Sequence, residues 1–450
     1  MNMLFSRVFL LLALLCAPMA WAAVPIEHWT QANGAQVFLV QSRALPMVDV
    51  QIDFDAGSRR DPADKAGLAG VTAAMASRGL RADGPDAVLD ENALGEAWAD
   101  LGASFGAGAG NDRMSFSLRS LSYPDLLPRV TALAARQLAL PAFTAAVWQR
   151  ERAQLVASIK ESDTRPATVA GKAFAKAVYG SHPYGYEMTE AGLDHITVAD
   201  MQALYAQSIR SCRAKVSVVG DVSRAQADAL VAALLARLDS AAGQAPCAAL
   251  PAVPEVRPLA QPGTAQAIPF DSAQAHVLIG QPGIRRNDPD FLALTVGNYV
   301  LGGGGFVSRL MLQVREKRGL SYSVYSYFAP GLHAGAFTVG LQTRPDQAVQ
   351  AVALTQEVVA QFVREGPSAQ ELQAAKSNLI GGFALRFDSN RKLLDNVANI
   401  AWNGLALDYL DTWTAAVERL SVADVKAAFE RALRPQAMVT VVVGGRDKAP

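Results

Sequence analysis

Residues 196–220 read ITVADMQALYAQSIRSCRAKVSVVG, and residues 420–444 read LSVADVKAAFERALRPQAMVTVVVG. At a constant offset of 224, with no gap, 8 of these 25 positions are identical. The physical pattern repeats with the letters. Thr197 or Ser421 stands as an N-cap, with Asp200 or Asp424 three residues on, the capping-box arrangement that starts a helix. An amphipathic set of turns follows, then a break, then a β-branched run ending at Gly220 or Gly444. A second echo sets Arg59-Arg60-Asp61-Pro62 against Arg285-Arg286-Asn287-Asp288-Pro289, each after an apolar strand-like stretch and before a helix. A chain written twice in this way is expected to fold as two copies of one α/β unit.

Between the copies, Pro246, Pro251, Pro254, Pro258, Pro262 and Pro269 fall within 24 residues, interleaved with Ala, Gly and Gln. Such a stretch is an extended, semi-rigid connector. The expected division is a signal peptide at 1–22, a first half at 23–239, a linker at 240–269 and a second half at 270–450. Local signals agree. Residues 36–40 and 48–54 read as strands, and 114–119 alternates apolar and polar with Met114, Phe116 and Leu118 on one face. Residues 66–78 read as a short helix stopped by Gly79, and 145–162 as a long one. In the second half, 291–301 reads as a helix running into four glycines. The amphipathic run 348–364 stops at Gly366-Pro367, and Ser368 with Glu371 opens the next helix.

With 51% hydrophobic residues, the chain is too apolar for a disordered protein and too evenly mixed for a multi-pass membrane protein. Lys+Arg and Asp+Glu are 41 each, and this zero net charge without a basic cluster argues against nucleic acid as a partner. The N-terminus reads as a secretory signal: Arg7, the apolar run 8–16, then Ala20-Trp21-Ala22 in the A-x-A pattern, with cleavage expected after Ala22. The apolar run is too short for a stable membrane span, and Leu15 stands where a lipoprotein signal before Cys16 needs a small residue. The expected compartment is the periplasm. There Cys212 and Cys247 can pair, closing a loop into the linker, or remain as two buried thiols; the sequence leaves both open.

Several motifs, taken in order, carry a resemblance. In the first half they are Ala56-Gly57-Ser58-Arg59 leading into Gly67-Leu68-Ala69, then His182-Pro183-Tyr184-Gly185, then Val218-Val219-Gly220-Asp221. In the second they are Gly302 to Gly305 and SRLMLQVREKRGLSYSVYS at 308–326. Over nearly the whole mature chain the sequence resembles the insulinase/pitrilysin family of zinc peptidases, in its two-half bacterial and mitochondrial-processing-peptidase form. The resemblance implies an α+β fold: two homologous halves, each a mixed, mostly antiparallel sheet packed against helices, joined by the Pro-rich linker into a clamshell.

The departure from the family is chemical. Active members carry His-x-x-Glu-His on the helix after the Gly-Leu-Ala turn, with two imidazoles one turn apart beside a carboxylate that activates metal-bound water. Here that segment reads Gly70-Val71-Thr72-Ala73-Ala74, which offers no ligand and no base. Glu151 falls where the family's third ligand comes. One carboxylate cannot hold zinc, so it is expected to be an ordinary solvated helix residue. His182 is expected to be structural. No metal ligand set is expected in this chain; zinc is expected in a partner.

The second half keeps what the first has lost. Arg315 and Tyr322 bracket Glu316-Lys317-Arg318-Gly319-Leu320-Ser321, and the resemblance makes them the pair that reaches into a zinc site. A phenol O–H and a guanidinium aimed at a scissile carbonyl stabilise the negative charge that hydrolysis builds there. The resemblance also makes Gly302, Gly303, Gly304 and Gly305 a loop that admits peptide. Tyr325 and Tyr327 have the opposite strand parity to Tyr322 and are expected in the core. The function expected is the non-zinc subunit of a heterodimeric periplasmic peptidase, supplying Arg315 and Tyr322 in trans to a homologous zinc-bearing subunit and holding an extended peptide substrate. The alternative is an inactive peptide-binding or assembly scaffold of the same fold.

Overall fold

The computed structural model describes residues 24–242, 247–259 and 263–445. The expected signal peptide and Cys16 lie outside them. The first half contains β1 (Glu27–Thr30), β2 (Gln36–Gln41), β3 (Met47–Phe54), α1 (Leu68–Met75), α2 (Glu91–Asp100), β4 (Ser104–Ala109) and β5 (Met114–Leu121). It continues with α3 (Leu127–Ala139), α4 (Ala145–Ser162), α5 (Pro166–Tyr179), α6 (Glu190–His195), α7 (Val198–Ser208), β6 (Lys215–Gly220) and α8 (Arg224–Ala242). The second half contains β7 (Ala265–Ile268), β8 (Ala275–Pro282), α9 (Phe291–Asn298), β9 (Ser323–Phe328), β10 (Ala336–Thr343) and α10 (Ala348–Glu365). It ends with α11 (Ala369–Gly381), α12 (Asn390–Asn403), α13 (Tyr409–Arg419), α14 (Val422–Ala432) and β11 (Val439–Val443).

The internal repeat is structural. The sheets run β1-β2-β6-β3-β5-β4 and β7-β11-β8-β10-β9, one order apart from the extra β1. In each, a single parallel pair, β2 with β6 or β7 with β11, sits among antiparallel neighbours. The α+β class with two homologous halves is therefore the observed architecture. The three capping boxes, Thr197/Asp200, Ser368/Glu371 and Ser421/Asp424, all form, each satisfying two otherwise orphaned backbone donors. β5 alternates buried and half-buried along its whole length. The helix expected over 291–301 ends its α-helical part at Asn298, and the glycines then rewind the chain. The segment Tyr299–Gly303 is a π-turn closed by Gly304 N–H on the Tyr299 carbonyl at 2.8 Å.

The two halves interlock by crossing helices. α5 of the first half lies on β8 and β11 of the second sheet, with Ala170, Phe174 and Val178 buried against Val439, Val441 and Val443. α12 of the second half lies on β3 and β6 of the first sheet. This explains why β2 is apolar at consecutive positions. Val37 and Leu39 face the helices of their own half, whereas Phe38 and Val40 join the core of the other, so both faces are buried. Gly280 is needed at the crossing, because a Cβ there would come within 2.8 Å of the Phe174 ring and 2.1 Å of the Phe337 carbonyl. Lys215 Nζ donates to the Ala401 and Trp402 carbonyls at 2.9 and 3.3 Å, in the last turn of α12, where a cation also suits the helix dipole. Burial lowers its pKa, while Asp53 opposes that.

The linker is pinned to both halves. Cys212 and Cys247 form a disulfide. Arg60 donates to the Pro251 carbonyl at 2.8 Å, and Glu255 pairs with Arg285 and His333, both at 3.0 Å. Within the span expected as linker, Ala265–Ile268 is ordered as edge strand β7. His182 is structural. Its Nδ1 accepts from Tyr184 N–H at 3.1 Å, so its Nε2–H donates to the Pro254 carbonyl at 2.9 Å. Tyr184 in turn donates to Asp112 and accepts from His333 N–H across the junction. None of the helices among the described residues is long and apolar enough to cross a membrane.

Two stability outcomes follow. Cys247→Ser opens a cross-link between residues 35 positions apart, and urea unfolding should lose about 2–4 kcal/mol. Lys215→Met leaves two carbonyls of α12 without their charged donor and should cost about 1.5–3 kcal/mol in the same assay.

Candidate functional site

The first half presents the helix that would carry metal chemistry. Asp61 caps α1: its carboxylate accepts Gly67 N–H at 2.9 Å and Ala69 N–H at 3.0 Å, and burial pushes its pKa up to about 6. On the helix so positioned, Gly70 is half-buried with open space where a side chain would stand. Ala73 is buried and Ala74 exposed. None offers a donor. Glu151, on α4, is not the solvated residue expected from sequence. Its side chain is only 13% exposed, held by Arg78 and Arg150, each at 3.0 Å. Glu91 completes the cluster by pairing with both arginines. Two guanidinium groups therefore satisfy the carboxylate that a metal would need. The residues present do not fit a zinc ion. Among the described residues no group of three or more His, Cys, Asp or Glu could hold a metal.

The second half brings its expected residues together. The glycine run is anchored to β9: Asn298 donates to the Ser326 carbonyl at 2.9 Å and accepts from the Ser326 hydroxyl at 2.7 Å. Gly302 packs against that contact so closely that a Cβ would fall 2.4 Å from Ser326 Oγ. Gly305 adopts φ +62°, where glycine carries no steric penalty. The loop then presents Phe306, which sequence reasoning missed although it directly follows the glycines. Arg315 sits in a second π-turn, Met311–Glu316. Its guanidinium lies 4.7 Å from the Phe306 ring centre and 4.7 Å from that of Tyr322. The cation is thus clasped between two aromatic faces, an arrangement that fixes its direction. Tyr322 is 75% exposed, and its hydroxyl has no hydrogen bond among the described residues.

Tyr325 and Tyr327 are not in the core. Both are 44% exposed and stack on each other at 6.1 Å. Val324 and Ser326 take the buried face of β9. The opposite face is only partly covered: Tyr179, the last residue of α5, lies near Tyr327. The parity argument fails for Tyr322 as well, because the strand begins only at Ser323.

Among the described residues, one end of each sheet is a strand with an unpaired edge, β4 and β9. β4 reads SFGAGA and borders α1. Along it runs an open cleft of about 690 Å³, with Arg113 and Arg391 at its sides. Small side chains leave its backbone accessible to another extended chain.

The clasp on Glu151 has a measurable consequence. In a Gly70→His/Ala74→His variant, zinc affinity measured by calorimetry should stay weak. Adding Arg78→Ala and Arg150→Ala together, which frees the carboxylate from both guanidinium groups, should tighten it by about 10–100-fold.

Comparison with known proteins agrees with this geometry. Residues 36–192 match the insulinase (peptidase family M16) model, and residues 195–379 match that of the peptidase M16 inactive domain. A crystal structure described as a peptidase M16 inactive domain, from Pseudomonas fluorescens, superposes with a TM-score of 0.85 and 34% identity, covering 93% of this chain and 97% of that one. The Helicobacter pylori protein named non-peptidase homolog YmxG is 27% identical over 440 residues, 93% of this chain and 94% of its own length. An uncharacterized zinc protease of Streptomyces coelicolor, SCO5738, is 26% identical over 304 residues, which span 66% of this chain and 65% of the relative. With both halves matched in order and the whole fold shared at this identity, the chain belongs to the insulinase (peptidase M16) family.

Proposed function

We propose that this chain is the non-zinc subunit of a heterodimeric periplasmic metallopeptidase. The observation that carries the reading is an asymmetry within one molecule. The metal positions of α1 are empty of donors, and the remaining carboxylate is neutralised by Arg78 and Arg150. Tyr322 meanwhile stays exposed and aligned on a half-buried Arg315, supported by Phe306. An exposed tyrosine stacked on a fixed guanidinium contributes little to this chain's own core. It is well suited to donate a hydrogen bond and positive charge to a peptide carbonyl held by another subunit. A homologous subunit would bring the zinc, and the peptide would lie extended along an open strand such as β4. The N-terminal Ala20-Trp21-Ala22 pattern and the Cys212–Cys247 disulfide both suit an oxidising compartment.

The second reading is a peptide-binding or assembly scaffold without a catalytic part. The name of the Helicobacter pylori relative favours it. The two readings separate in one experiment. The chain is purified with a zinc-bearing homologue, and peptide hydrolysis is measured with the wild type, Tyr322→Phe and Arg315→Ala. Loss of a transition-state donor should lower kcat by about 10²–10³ with the complex intact. Full activity in both variants sinks the proposal. A stable complex without activity in any combination establishes the scaffold.

A further inference from the structure

The repeat shows what is unusual about the cleft along β4. β4 holds the same place in its sheet, beside β5, as β9 holds beside β10 in the other. β9 carries Tyr325 and Tyr327, stacked on each other, at alternate positions. β4 carries Gly106 and Gly108 at alternate positions instead. This fold does not require glycine at either place. Neither has a positive φ, and a Cβ built on either would meet nothing within 4 Å. Glycine inside a strand weakens it and, where no packing calls for it, marks a place where a ligand or another backbone comes close. The cross-strand partners Ser117 and Ser115 share this face and also line the cleft. Gly106, Gly108, Ser115 and Ser117 thus make a floor of small residues with room above it for a ligand side chain.

The charge around this floor has one sign. Among the described residues that line the cleft, Arg113 and Arg391 are charged and none is acidic. Arg113 is fixed through one nitrogen: Nη1 donates to Asp53 at 2.8 Å and to the Ala398 carbonyl at 3.2 Å. Its Nε and Nη2 make no hydrogen bond among the described residues. That edge of a guanidinium is one on which a carboxylate is taken by two parallel N–H···O bonds. Arg391 stands in the first turn of α12 and pairs with Asp395 at 3.7 Å, both more than half exposed. Water already competes with so exposed a pair, and a ligand can displace it.

We propose that this cleft selects extended peptides that carry a carboxylate, seated over Gly106 and Gly108 and held by the free edge of Arg113 and by Arg391. The inference rests on the reading that an extended peptide lies along β4, and adds to it the class of peptide. A lysine side chain in the same space would meet two cations, with no acid in the lining to receive it. A neutral side chain would forgo the charge-assisted bonds. The carboxylate belongs to an aspartate or glutamate side chain or to the C-terminus of the peptide, since both present the same two oxygens.

The test measures binding of short fluorescent peptides to the full mature chain by anisotropy. They share one β-forming sequence, blocked at both ends, with Glu, Gln or Lys at the centre. A fourth is the Gln peptide with a free C-terminal carboxylate. A carboxylate peptide should bind about tenfold more tightly than the blocked Gln peptide, an advantage that shrinks as salt is added, and the Lys peptide should bind most weakly. Tight binding of the Glu peptide assigns the side chain, and tight binding of the free-ended peptide assigns the terminus. Arg391→Gln should cut the advantage by about threefold. Gly106→Val should fold with a melting temperature no lower than wild type and weaken every peptide. Equal binding of all four peptides overturns the carboxylate preference and leaves the strand-pairing reading standing. No saturable binding of any peptide overturns both. An advantage unchanged in both Arg391→Gln and Gly106→Val overturns the location.

Discussion

Everything in this molecule depends on the reciprocal crossing of α5 and α12. Each helix belongs to one half and buries its apolar face on the sheet of the other. Strands that would otherwise expose one face to water are therefore covered on both, and the halves become one body. The charged contacts at the crossing follow from that burial. Arg113 pairs with Asp53 at 2.8 Å and also reaches the Ala398 carbonyl of α12. Burial raises the pKa of Asp53, and the arginine pulls it back down. A buried carboxylate in such a place is tolerable only because Arg113, Lys215, Ser115 and Gln51, all of the first half, surround it.

The crossing also decides which surfaces remain open. α5 covers β8 and β11 and leaves Tyr325 and Tyr327 of β9 partly exposed. In the first half β4 is left open next to α1. Among the free edges of the described residues, β4 thus lies beside a helix without metal donors at its zinc positions and β9 follows an intact arginine–tyrosine clasp. Function, on this reading, is divided between polypeptides rather than lost.

Much of the fold is legible in the sequence. The capping boxes at Thr197, Ser368 and Ser421 need only residues three apart, and β5 needs only strict alternation. The vacated zinc positions were legible too, because Gly70, Ala73 and Ala74 lack donor atoms in any fold. What escaped were contacts between distant residues. Glu151 looked solvated because nothing near it in sequence announces Arg78, which approaches from 73 positions away. Tyr325 and Tyr327 looked buried because alternation says which residues share a face, not which face is covered. Phe306 went unread because its partner, Arg315, lies nine positions on and becomes its neighbour only through the π-turn Met311–Glu316.

The sequence by itself determined the duplication, the order of elements in each half and the lack of donor atoms at Gly70, Ala73 and Ala74. These are properties of local spacing and of side-chain composition. Tertiary structure alone decided how the halves interlock, that Cys212 meets Cys247, that Glu151 is neutralised, and which sheet edges and helix faces are left uncovered. Those outcomes depend on which surfaces meet across the fold, and hydrophobic burial is not directional enough for a one-dimensional pattern to specify them.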